Sequence, residues 1–83
     1  MTLTDLPNIG PKLAEHLERA GIGTPEALRA LGAEGAFLKI RTTVDGTACL
    51  HELEALAGAV EGVRKSALTM ERKAELKTWY RTL

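Results

Sequence analysis

Leu6-Pro7-Asn8-Ile9-Gly10-Pro11-Lys12 reads as a tight turn that opens directly into a helix. Asn8 is the non-glycine residue that best tolerates the left-handed region, Gly10 lets another backbone come close, and Pro11 suits a first helical position. From Pro11 onward Leu13, Leu17 and Ala20 fall on one face, and Lys12, Glu15, Glu18 and Arg19 on the other. Gly21 then ends the helix as a left-handed residue. A turn of this kind points unpaired N–H groups outward at the head of a helix, where a phosphate can be held, and Lys12 adds a positive charge.

Working outward, the same punctuation recurs. Thr24 caps a second helix with Pro25 in its first position, Leu28 and Leu31 inward, and Gly32 at its close. A third helix runs from about Ala33 to Arg41 with Ala33, Ala36, Phe37 and Ile40 on one side, until Thr42-Thr43-Val44-Asp45-Gly46 breaks it. The fourth, about Thr47 to Val60, places Cys49, Leu53, Leu56 and Val60 at i, i+4, i+7 and i+11, widened by Leu50 and Ala57. The last follows Thr69 and shows Leu76, Trp79, Tyr80 and Leu83 at helical spacing. No stretch alternates with period two. The chain is therefore expected to be all-α, a compact bundle of about five short helices in a single domain over residues 1–83. Its expected core is Leu6, Leu13, Leu17, Ile22, Leu28, Leu31, Phe37, Ile40, Leu50, Leu53, Leu56, Val60 and Leu76.

Composition narrows the function. The chain has 83 residues, 45% of them hydrophobic, with 11 basic and 11 acidic side chains and no net charge. A strongly basic, nonspecific nucleic-acid coat is thereby excluded. The charges are unevenly spread: residues 63–83 carry six basic groups against two acidic ones, while residues 46–62 carry Glu52, Glu54 and Glu61 without a basic partner. A partner that reads charge should prefer the C-terminal quarter, and opposite ends should attract within the fold. One cysteine forms no internal disulfide, which fits a reducing compartment, and no apolar run approaches the ~20 residues a membrane helix needs. A small cytoplasmic protein without membrane contact is expected.

Chemistry-bearing residues do not converge. His16 and His51 fall on the polar sides of separate helices, with no further ligands at metal spacing, so neither metal nor cofactor is expected. Cys49, on the apolar stripe of the fourth helix, reads as a buried small hydrophobe. Glu15, Glu18, Glu52 and Glu54 read as solvated helix faces. No catalytic residue emerges. Trp79 is expected to seal the core; exposed instead, it would form with Tyr80 a contact pair for a homodimer.

Residues 6–12 resemble the hairpin of the helix-hairpin-helix motif, commonly leucine-proline-glycine-isoleucine-glycine, with Asn8 in place of its first glycine. A wider resemblance covers nearly the whole chain. Leu-Pro-Asn-Ile-Gly-Pro-Lys (6–12), Gly-Ile-Gly-Thr-Pro-Glu-Ala-Leu (21–28), Leu-Gly-Ala (31–33), Ala-Cys-Leu (48–50), Ala-Leu-Ala-Gly-Ala (55–59) and Arg-Lys-Ala-Glu-Leu (72–76) stand in the order of the C-terminal domain of the TfoX/Sxy family. That resemblance implies a helix-hairpin-helix-like (SAM-like) core and a bacterial competence-regulation role without catalysis, exerted beside a transcription regulator or an RNA polymerase subunit. Where the family usually carries an asparagine and an aromatic in the fourth helix, and a tryptophan after it, this chain has His51, Glu54 and Lys65.

The expected function is a non-enzymatic regulatory or adaptor module working by protein–protein contact, with weak, sequence-independent DNA contact. Asn8, Ile9, Gly10 and Lys12 would touch phosphate, supplemented by Lys73, Lys77 and Arg81 if the last helix lies beside the hairpin. Two other readings are a stand-alone helix-hairpin-helix DNA-binding module and a structural homodimerisation domain built on Trp79 and Tyr80.

Overall fold

Thr24-Pro25, Thr69 and the glycines fix the helix ends much as their chemistry dictates. The computed structural model describes residues 1–83. It has four α-helices, α1 (Pro11–Arg19), α2 (Pro25–Thr43), α3 (Leu50–Glu61) and α4 (Met70–Tyr80), two single 3-10 turns at Leu3–Asp5 and Lys65–Ala67, and no strand. α1 ends in a Schellman arrangement: Gly21, at φ +84°, lets its N–H reach Glu18 O (2.9 Å) while Ile22 N–H reaches Leu17 O (2.8 Å). Gly62 (φ +77°) ends α3 in the same way, with Val63 N–H on Gly58 O at 2.8 Å. Thr24 and Thr69 cap α2 and α4 by accepting hydrogen bonds from Ala27 and Arg72 N–H groups.

Two expected boundaries move. The second and third expected helices join end to end as α2, bent at Gly32, whose φ +77° and ψ 169° are not helical. Four helices thus stand where about five were expected. Beyond the bend, Thr42 and Thr43 stay helical, with their hydroxyls donating back to the Leu38 and Lys39 carbonyls. The change of phase at Gly32 leaves Leu31 outside the core, 44% exposed.

The second shift concerns α3. Asp45 Oδ1 accepts from the backbone N–H (2.9 Å) and hydroxyl of Thr47, an Asx turn that holds residues 45–48 out of the helix. α3 therefore begins at Leu50, and Cys49 is its N-cap, exposed to solvent. The expectation of a buried Cys49 is corrected accordingly.

α3 is the central element: it packs against α2, α4 and the second 3-10 turn. Leu17, Ile22, Leu28, Phe37, Ile40, Leu53, Leu56 and Leu76 are fully buried, each stabilising the fold by about 1.5–3 kcal/mol before entropy is subtracted. Leu13, Leu50 and Val60 are partly buried at the rim of this core. Small residues do more than periodicity suggested, since Ala33, Ala36, Ala57 and Ala59 are buried where helices approach closely. Across the end of the bundle, Trp79 and Tyr80 pack edge-on against Phe37, with ring centroids 6.1 and 5.9 Å away. Both stay half-buried, and the Arg41 guanidinium lies 5.5 Å from the Tyr80 ring centre.

Candidate functional site

The hairpin is built around one side chain. Asn8 takes the left-handed conformation (φ +68°), the only non-glycine residue to do so. Its Nδ2 donates to Ala55 O (3.3 Å) and Val63 O (3.0 Å), and its Oδ1 accepts from Lys65 N–H (2.9 Å). A side-chain amide thereby ties the hairpin to the last turns of α3 and the loop beyond it. Gly58 makes the approach possible. A Cβ there would lie 2.5 Å from Asn8 Nδ2 and 2.7 Å from Val63 O. Gly58 thus marks a close approach inside α3.

This geometry sorts the expected phosphate-contacting residues. Asn8 is half-buried with its amide engaged, and Ile9 is 5% exposed, packed in the core. Gly10 and Lys12 are exposed. Gly10 is the N-cap of α1 and gives it no side-chain cap. Lys12 borders a cleft of about 270 Å³ together with His16 from α1, Asp45 from the α2–α3 loop, and Cys49 and Glu52 from the head of α3. Its charge therefore shares the cleft with two carboxylates.

α4 presents the remaining expected cations. Lys77 and Arg81 are exposed and Lys73 half-buried, a row at i, i+4 and i+8 about 12 Å long. Arg72 turns the other way. Its Nη1 and Nη2 each donate to one carboxylate oxygen of Glu34 at 2.9 Å, with Glu61 (3.8 Å) and Glu75 (3.5 Å) beside it. This fork joins α4 to α2, and Glu61 pairs the acidic and basic stretches of the chain. The Arg72 hydrogen bonds hold the Glu34 carboxyl below its usual range and raise the guanidinium. No hydrogen bond or ion pair joins α4 to residues 6–12. Instead, the Asn8 bond brings the backbone of Lys65, and with it Arg64, to the hairpin. Local spacing could not reveal that neighbour, because the contact spans 57 positions.

Two polar-face readings are also corrected. The His16 side chain is only 12% exposed and Glu52 18%, because α1 turns this edge toward α3. Glu54 is likewise 17% exposed, beside the exposed His51 at 3.7 Å. Burial pushes the Glu52 carboxyl up, opposed by the nearby His16 charge. No group of three or more His, Cys, Asp or Glu side chains is arranged to hold a metal ion, and no helix is long and apolar enough to cross a membrane.

Four helices and two 3-10 turns, with α3 in the middle and the 6–12 turn stapled to it by Asn8, define a small all-helical domain. The sequence profile of the TfoX C-terminal domain matches residues 1–80, and the chain belongs to that family. Protein Sxy of Escherichia coli (strain K12) is 36% identical over 77 residues, which cover 93% of this chain but 36% of Sxy. The chain thus spans little more than a third of that relative. An uncharacterized protein from Listeria monocytogenes, in a triclinic crystal form, superposes with a TM-score of 0.96 at 43% identity, covering 99% of this chain and 92% of that one. A protein of unknown function from the same organism, in a tetragonal form, gives a TM-score of 0.92 at 44% identity, covering 96% of each chain.

Proposed function

We propose that this chain is a non-enzymatic regulatory module of the competence-regulator type, acting by contact with another protein, with weak, sequence-independent DNA contact as a secondary property. Membership of the TfoX C-terminal family supports the regulatory class. The mode of action rests on one observation: the polar side chain of the hairpin, Asn8, is turned to three backbone partners on α3 and the loop after it. What the hairpin leaves to solvent is Gly10, Pro11 and a lysine bordered by Asp45 and Glu52. Such a surface attracts a phosphate backbone feebly, since affinity for DNA follows the number of phosphates neutralised. A transcription regulator or an RNA polymerase subunit is the partner class in keeping with the family.

The test is an affinity pull-down from the native host with the tagged chain, performed with and without nuclease. A transcription-machinery protein retained at full yield after nuclease is the expected result. Loss of every partner on nuclease treatment would overturn protein contact as the mode of action.

One observation favours a second reading, a DNA-binding module in its own right. The first turn of α1 lacks a side-chain cap, and Arg64 and Lys65 are brought to the hairpin by the Asn8–Lys65 bond. On that reading, binding would reach the micromolar range at low salt, fall steeply as salt rises, and weaken on Lys12→Glu.

A further inference from the structure

We infer that His16 and Glu52 bind one proton as a pair, and that this proton fastens α1 onto α3. The two side chains face each other from different helices, with His16 Nδ1 3.6 Å from Glu52 Oε1, too far for a hydrogen bond. His16 Nδ1 and Glu52 Oε2 are both withdrawn from solvent, and neither has a hydrogen-bond partner. Unpartnered polar atoms withdrawn from water are costly, and a proton added to this pair turns its contact into a charge-assisted hydrogen bond. Taken from water, it forms either an N–H on the imidazole or an O–H on the carboxyl. In both cases a donor then faces an acceptor, and the gap can close toward about 2.8 Å.

Other charged and titratable groups border the same cleft. Lys12 lies on α1, Asp45 on the α2–α3 loop, and Cys49 at the head of α3. Asp45 has Thr47 as a hydrogen-bond donor to its carboxylate, which keeps it ionised and leaves a negative charge beside His16. Lys12 opposes proton uptake and Asp45 favours it, so the pair sits between two fixed charges of opposite sign. His51 and Glu54 form a second histidine–carboxylate pair at 3.7 Å on α3 itself, but there the histidine is 80% exposed. That pair joins nothing across helices and serves as an internal control.

The sign follows from linkage. If the folded pair holds its proton more tightly than the unfolded chain does, stability rises as the pH falls through the pair's titration and is lost as the pH rises again. Glu52→Gln puts an N–H where the proton would sit, so it imitates the protonated state. This inference is independent of the regulatory reading, and either can fail without the other.

The experiment follows the His16 ring nitrogens and the Glu52 carboxyl carbon by NMR in the wild-type chain between about pH 8 and about pH 5, with urea denaturation in parallel. The expected result is one shared pH interval in which both groups respond. Over the same interval the folding equilibrium constant should rise roughly three- to tenfold, up to one unit of differential proton affinity. Glu52→Gln should be flat with pH and at least as stable as wild type at about pH 8, whereas His51→Gln should keep the wild-type slope. Separate, independent titrations of His16 and Glu52 would overturn the inference. So would a Glu52→Gln variant that keeps the wild-type slope. Should that variant fail to fold, the wild-type NMR titration decides alone.

Discussion

Two of the charged contacts between helices in this bundle are made very differently. Between α2 and α4, Arg72 meets Glu34 with two parallel hydrogen bonds of 2.9 Å, and both oxygens of the carboxylate are used. Between α1 and α3, His16 and Glu52 approach only to 3.6 Å and leave an atom on each side unpartnered. Arg72 remains ionised at every ordinary pH, so its contact can be built once and left. Histidine is the side chain whose ordinary charge change lies nearest neutrality, so of the two contacts the α1–α3 one is where pH can act. The Asn8 junction belongs with the first kind: three bonds from one uncharged amide, with nothing that titrates.

The completed junctions should be the most expensive to break. Asn8→Ala removes three hydrogen bonds and forces an alanine into φ +68°, so a loss of about 3–4 kcal/mol is expected in urea denaturation. Asn8→Gly keeps the left-handed backbone and should recover about 1–2 kcal/mol of that loss. Equal losses for the two variants would show that the hydrogen bonds alone hold the hairpin.

Arg72→Ala comes next, at about 1–2 kcal/mol, because its fork is partly solvent-exposed. Its pH signature sharpens the comparison with the His16–Glu52 contact. Glu34 is held below its usual range by the Arg72 hydrogen bonds. The stabilisation is therefore complete above the ordinary glutamate value and disappears as the pH falls through the depressed one. Wild type and Arg72→Ala should converge in acid, whereas the α1–α3 contact should strengthen on acidification from neutrality. Denaturation midpoints measured across the acid range check both signs.

The smallest effect is expected at Cys49. As an exposed N-cap without a side-chain cap bond, it should tolerate Cys49→Ser with a change within about 0.5 kcal/mol, and the native thiol should react at once with Ellman's reagent. Reaction only after unfolding would return the residue to the core.

The same contrast separates what could be read in the sequence from what could not. Gly21 and Gly32 as breaks, Thr24 and Thr69 as caps, and the stripes through Leu17, Phe37, Leu53 and Leu76 are local signals, and the structure places them accordingly. Asn8 was legible as a left-handed residue, but the destination of its amide, 47 to 57 positions away, was not. Cys49 misled because a periodic stripe continues through residues that an Asx turn keeps out of the helix. His16 and Glu52 look solvated on isolated helical wheels; only the approach of α1 to α3 removes them from water.

The central claim, that the hairpin is a packing junction whose exposed remainder binds DNA only feebly, is tested most directly by fluorescence anisotropy. A labelled duplex is titrated at low salt with wild type and with Lys12→Glu. The account predicts association weaker than micromolar, with the two proteins nearly indistinguishable. Micromolar binding by wild type that collapses with added salt and disappears in Lys12→Glu would contradict it.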